Sequence, residues 1–263
     1  MSPDLSFWLE LVFKMAMTAA VVVFISIVVE RSGPFVGALI AALPTAAGAA
    51  YVILAIEHPP AFIAASAVGS MAVGAAVSVF AAVYAVLAQR HGVVPSLGIS
   101  LLVWFGCVAL LRQSNWTPLT ALLLNAAVYA VTVPLSWRYR SSAPPRKFLR
   151  TRYDIPLRAI AAAAVVVVVT TASYSIGSFA SGMFALFPIV FCSSIVILHP
   201  RIGGKATASV LANAQVALIG LTLAFMAVHY LAEPLGSWWA LLVGLGISAA
   251  WSGMLLLVRR WAP

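Results

Sequence analysis

One stretch of 22 residues occurs twice in this chain, and each copy carries a proline near its middle. Residues 33–54 read GPFVGALIAALPTAAGAAYVIL, and 144 positions later residues 177–198 read GSFASGMFALFPIVFCSSIVIL. Gly33 falls on Gly177, Phe35 on Phe179, Ala41 on Ala185, Pro44 on Pro188, and Val52, Ile53 and Leu54 on Val196, Ile197 and Leu198. Each copy is long enough to cross a bilayer. A central proline lacks a backbone donor and crowds the carbonyl four residues back, so each helix is expected to kink or break at membrane mid-depth. A lone proline would mark only a packing kink. Two interrupted helices at matching positions of two halves point instead to a transporter's binding site.

Lipid has to be the main solvent here. The chain is 63% hydrophobic and only 8% charged, more apolar surface than a soluble core of this size could hide. Cys107 and Cys192 both sit in apolar runs and read as small buried hydrophobes, with no disulfide or metal framework. No cofactor is expected.

With about 20 apolar residues needed per crossing, the chain reads as an all-α polytopic membrane protein of nine spans: 7–29, 33–56, 60–88, 93–111, 117–137, 156–174, 177–199, 206–232 and 235–258. The first is read as a spanning helix and not a signal peptide, because Asp4 and Glu10 stand where a signal peptide needs cations.

The formal charge of +9 suggests nucleic acid until it is mapped. Arg138, Arg140, Arg146, Lys147, Arg150, Arg152 and Arg158 crowd one connecting stretch. That is positive-inside patterning facing anionic lipid headgroups, and no nucleic-acid partner is expected. With loop 138–155 in the cytoplasm, alternation also puts Arg31, Arg90, Arg201, Lys205, Arg259 and Arg260 inside. Arg112, Glu57, Glu233 and the acidic N-terminal tail fall outside. The expected location is the bacterial inner membrane, N-terminus out and C-terminus in.

At the same offset of 144, Lys14 falls on Arg158 and Val21, Val22 and Val23 on Val165, Val166 and Val167. Leu97, Gly98, Ile99 and Ser100 resemble Leu245, Gly246, Ile247 and Ser248 after a small insertion. The chain therefore divides into repeat unit 1 (1–116), a connector helix with the basic loop (117–155), and repeat unit 2 (156–263). Five crossings separate equivalent points. An odd number inverts the second unit, the arrangement of many secondary transporters; a duplication retained only for packing is the plainer reading.

No Asp or Glu falls in the expected mid-membrane stretches, which argues against a carboxylate-based proton antiporter; Glu10 and Lys14 read as an i, i+4 pair on the first span. The polar groups at depth are uncharged. Beside the broken helices, Pro44, Thr45, Gly48, Pro188, Ser193 and Ser194 are the candidate substrate-binding residues, with Asn125, Asn213 and Gln215 as supporting polar lining. Ser and Thr there could equally re-satisfy backbone groups that proline releases, and the amides could be interhelical glue. His58, His91, His199 and His229 are dispersed, so no metal site is expected. Ser66, Ser70, Gly74 and Ser78 form a small-residue track that reads as close helix packing. No nucleotide-binding or hydrolytic motif occurs.

The segments AALPTAAGAAYVIL and ALFPIVFCSSIVILH resemble the central helix of small bacterial inner-membrane proteins of the GlpM-like kind. Those are about the size of one half of this chain, so the resemblance implies a fused, duplicated relative. The leading expectation is a secondary transporter, facilitator or exporter of a small solute, not an enzyme. The alternatives are a non-transporting assembly or stability partner of a larger membrane complex and, behind it, an intramembrane lipid-modifying enzyme. The sequence leaves a homodimer open.

Overall fold

The computed structural model describes residues 45–140 and 154–261, with five isolated helical positions before them, Leu9, Val12, Phe13, Ala16 and Ala20. All secondary structure among the described residues is helical: α1 (Thr45–Glu57), α2 (Pro60–Leu87), α3 (Val93–Leu111), α4 (Pro118–Trp137), α5 (Asp154–Ala185), α6 (Ile189–Ile202), α7 (Gly204–Leu235) and α8 (Ser237–Trp261). Six of these are long and apolar enough to cross a membrane.

The expected spans 60–88, 93–111 and 117–137 correspond to α2, α3 and α4 within a residue at each end. Spans 206–232 and 235–258 correspond to α7 and α8. The second proline-bearing span does not appear as a single helix: α6 is 14 residues long, at 1.5 Å per residue about 21 Å, short of the ~30 Å hydrocarbon core. Of the first, 33–56, residues 33–44 lie outside the described residues and the rest is α1. The expected joint at Ser175 and Ile176 lies instead at Gly177, where φ is 79° and ψ is 171° inside α5. Span 7–29 and the basic stretch 141–153 fall outside the described residues, the isolated positions apart.

Local chemistry sets the helix starts. Pro60 opens α2 at the first helical position, where a missing N–H costs nothing. Thr117 caps α4: its hydroxyl accepts from the Thr120 amide at 3.2 Å, and the Thr120 hydroxyl accepts from the Thr117 amide at 2.9 Å. Gly203 and Gly236, both at φ 84°, turn the chain from α6 into α7 and from α7 into α8. That backbone region is essentially reserved for glycine. Two pairs of helix starts, Pro60 with Gly204 and Val93 with Ser237, are each separated by the same 144 residues as the sequence repeat.

α2 is the centre of the molecule and is buried along most of its length. Its track of small residues is what allows this, because neighbouring backbones come close along it. Ser66 Oγ donates to the Ser178 carbonyl at 3.0 Å, and Ser70 Oγ donates to the Gly182 carbonyl at 2.7 Å. The most extensive partner of α2 is α7, which runs antiparallel to it. Gly204 abuts Ala88, Gln215 Nε2 donates to the Ser78 carbonyl at 2.9 Å, and His229 Nδ1 lies 2.9 Å from the Ala64 carbonyl. These contacts put Gly74 of α2 near Leu218 of α7, residues that are themselves 144 apart. α4 runs parallel to α2: Asn125 reaches Met71 and Thr132 reaches Ser78.

Candidate functional site

The second copy of the repeated stretch is broken where its proline stands. Helix runs to Ala185, then Leu186, Phe187 and Pro188 leave helical geometry, and α6 starts at Ile189. Pro188 cannot donate to continue the ladder. The break is held by short-range bonds: Phe187 N–H to Phe184 O at 3.0 Å, Ile189 N–H to Phe187 O at 2.7 Å, and Cys192 N–H to Pro188 O at 2.9 Å. Gly182 below it packs at Ser70, and Phe191 above it faces Phe80 with ring centroids 6.4 Å apart. The interruption therefore sits beside the middle of α2.

In the first copy, Pro44 lies outside the described residues, and Thr45, at the position matching Ile189, is helical. Tyr51 fixes its depth. The Tyr51 hydroxyl is hydrogen-bonded to Ser70 Oγ at 2.8 Å, and because Ser70 already donates to Gly182 O, Tyr51 is the donor. Six residues back along the helix is about 9 Å, so Thr45 also lies beside the middle of α2. Near it Ala46, with Ala159 and Ala162 of α5, forms a small buried cluster against which Ile189 of α6 packs. The members of that cluster are apolar.

The polar candidates divide into separate groups. Gly48 is exposed with open space beside it, and Pro188 is buried. Ser193 and Ser194 on α6 are both buried, and Ser193 Oγ donates to the Val190 carbonyl at 3.1 Å, one turn back. Asn213 is half-buried and donates to the Ser209 carbonyl at 2.8 Å. Ser209 in turn donates to the Arg140 carbonyl, so Asn213 belongs to the region where α4 ends.

Asn125 and Gln215 form part of a larger polar crossing around Gly74. Asn125 Nδ2 donates to the carbonyls of Met71 at 2.7 Å and Ala121 at 2.8 Å. Tyr129 lies 3.0 Å from Thr222 Oγ1 and donates to the Leu218 carbonyl at 3.3 Å, while Thr132 is bonded to Ser78 at 2.7 Å. A methyl on Gly74 would stand 3.1 Å from Asn125 Oδ1, 3.6 Å from the Tyr129 hydroxyl and 3.7 Å from Thr222 Oγ1. The crossing ties α2, α4 and α7 together at the level where the antiparallel pair is centred.

Sequence reasoning had singled out Asn125 and Gln215 and missed Tyr129, Thr132 and Thr222. A signal existed. Asn125, Tyr129, Thr132 and Ser136 recur at spacings of four, three and four on an otherwise apolar helix, and all are buried. Such a stripe has to face protein. Ser78, on the small-residue track of α2, packs by hydrogen bonding to Thr132.

Two further buried groups stand near these features. Trp104, fully buried midway along α3, packs against Phe187 at 5.1 Å between ring centroids with the planes near perpendicular. Its Nε1–H has no hydrogen-bond partner, and neither has Gln215 Oε1. The histidines mark the ends: His58 Nε2 is 2.8 Å from Ser173 Oγ at the N-terminal end of α2, and His199 Nδ1 is 2.8 Å from the Tyr84 hydroxyl near its C-terminal end. Among the described residues no three His, Cys, Asp or Glu side chains come together as a metal site would need.

The chain matches no protein-family model, no curated protein and no solved structure.

Proposed function

We propose that this protein is a secondary transporter or facilitator of a small solute, built from two inverted repeat units that meet around the interruptions at Pro44 and Pro188. The observation carrying this reading is that α6 begins at the Pro188 break beside the middle of α2, and that Ala46, two residues after Pro44 in the matching copy, belongs to a cluster against which Ile189 of α6 packs. A lipid-embedded chain tolerates non-helical backbone at depth only where protein or a water-filled path surrounds it. Discontinuous helices at the interface of two repeats are how many transporters build a site. Inversion of the units is supported by the antiparallel packing of α2 on α7, whose starts are equivalent in the repeat.

Alternating access then amounts to one unit rocking against the other, with the α2–α7 crossing as pivot. The bacterial inner membrane, with the cation-bearing end cytoplasmic, suits the charges. Arg90, Arg201 and Lys205 adjoin the C-terminal end of α2, whereas Glu57 and Glu233 adjoin its N-terminal end.

Uptake by proteoliposomes tests the reading. Pro44→Ala and Pro188→Ala variants that still insert are expected to lose most of the flux of the parent, at least about tenfold, because a healed helix closes the interruption. Parent-like flux in both variants overturns the assignment. A non-transporting partner of a larger complex is the second reading, favoured by the alanines that Ile189 packs against beside the Pro188 break. It predicts no flux for any solute and one stoichiometric partner on purification.

A further inference from the structure

Two hydrogen bonds, at opposite ends of α2, join a side chain in the first half of the chain to one in the second. His58 stands just past α1, and its Nε2 lies 2.8 Å from Ser173 Oγ on α5. Ser173 donates its hydroxyl proton to the Thr170 carbonyl at 2.6 Å, so His58 is the donor. The His58 ring stacks on Phe62 with centroids 3.8 Å apart and meets Tyr174 of α5 at 4.6 Å. At the other end, His199 Nδ1 on α6 lies 2.8 Å from the Tyr84 hydroxyl on α2, with the two rings edge to face at 6.1 Å. Each bridge is thus one hydrogen bond backed by an aromatic contact.

Both bridges lead back to one place. Ala46 of α1 belongs to the cluster against which Ile189 of α6 packs. From Ala46 the chain runs on through α1 to His58, about 18 Å along the helix axis. From Ile189 it runs on through α6 to His199, about 15 Å. The two helices therefore carry that cluster's neighbours to opposite ends of the molecule. Halfway between the ends, α2 and α7 cross at Gly74 and Leu218. A rotation of about 6° there shifts a point ~20 Å away by about 2 Å, which is enough to break a hydrogen bond at that end. The same rotation presses the other end together. The His229 contact with the Ala64 carbonyl lies on the His58 side of the crossing and yields with that bridge.

We propose that these two bridges are the gates of alternating access, His58 with Ser173 at one face and His199 with Tyr84 at the other, and that the molecule with both made is closed at both ends. This rests on the transport reading above and supplies its gating residues. A gate of one hydrogen bond and one ring contact is weak enough for the binding of a small solute to open it.

The test uses the full chain with Cys107 and Cys192 replaced by serine and one probe, Ala46→Cys, in the buried cluster. An impermeant thiol reagent is applied to either face of sealed vesicles, and uptake of glycerol, benzoate and tetraethylammonium is assayed in parallel. The probe is expected to react slowly from both faces in the otherwise unchanged chain. Ser173→Ala is expected to speed the reaction about tenfold from the His58 face alone, and Tyr84→Phe about tenfold from the His199 face alone, each for one lost hydrogen bond. Faster reaction from both faces in either variant marks general loosening and overturns the proposal. Fast reaction before either gate is altered, or an unchanged rate in either variant, overturns it too. Face-specific reaction in a protein that takes up none of the three solutes keeps the gates and counts against the transport reading alone. Uptake without face-specific reaction removes the gates and leaves transport standing. If Ser173→Ala or Tyr84→Phe does not insert, His58→Phe or His199→Phe, which keeps a ring and removes the hydrogen bond, decides in its place.

Discussion

Single atoms decide how near the helices come. A methyl on Gly182 would land on the Ser66 carbonyl, and one on Gly69 would land on the Phe179 carbonyl. Backbone atoms on both sides cannot turn away as a side chain could. Gly182→Ala is therefore expected to destabilise by about 2–3 kcal/mol or more, read as a lower Tm in detergent. Gly98→Ala and Gly246→Ala, with nothing within 4 Å of the added methyl, are expected to leave Tm unchanged or slightly raised. Equal losses at all three positions would refute close backbone approach as the cause. At the polar crossing, Asn125→Ala removes the bond to Met71 O and is expected to cost about 1–2 kcal/mol, near the upper end for such bonds between membrane helices. The residue pattern along α4 contained this information, since an asparagine and a tyrosine one turn apart on a lipid-embedded helix need protein partners. Which partners they find follows from α2 presenting glycine at position 74.

At the scale of elements, the second half of the chain is jointed differently from the first. Gly177, Gly203 and Gly236 all take φ near +80°, whereas Pro59 and Gly92, which precede α2 and α3, have φ of −69° and −71°. Pro59 and Gly203 are 144 residues apart, so equivalent corners are turned by opposite backbone conformations. The space beside Gly203 and Gly236 is open, and a substitution there feels backbone strain alone. Gly203→Ala is expected to cost about 1–3 kcal/mol, measured by thermal unfolding. A larger deficit in Gly203→Val than in Gly203→Ala would show that sterics, not φ, set the cost. The break at Pro188 was legible from its recurrence in the repeat and not from the missing donor alone, since Pro134, Pro200 and Pro234 stand inside α4, α6 and α7. That α6 then continues for only 14 residues, ending at Gly203, follows from a second breaker already present in the sequence.

For the whole molecule, the arrangement of ends is the testable quantity. Position 58 adjoins the start of α2, and position 202 adjoins Gly204, which meets Ala88 past the end of α2. α2 is 28 residues long, about 42 Å, more than the hydrocarbon thickness. Cysteines placed at 58 and 202, in a background with Cys107 and Cys192 replaced, are expected to react with impermeant reagents from opposite sides. Labelling of both from one side would contradict the antiparallel pairing of α2 with α7 and the transport reading built on it.

By itself the amino-acid sequence determined the apolar solvent, the extents of α2, α3 and α4 to within a residue, the position of the Pro188 interruption and the 144-residue period at which α2 and α7, and α3 and α8, start. Each is a one-dimensional property: apolar run length against bilayer thickness, a missing donor, a repeated string. Only the tertiary structure decided that α2 and α7 lie antiparallel through the centre, that α4 bears a hydrogen-bonded polar face, and that Ala46 of α1 and Ile189 of α6 come to one alanine cluster. Those outcomes depend on which backbones can touch, and that is set by where glycine and serine on one helix coincide in depth with glycine and serine on another. Sequence spacing along one helix carries no record of the depth at which its neighbour arrives.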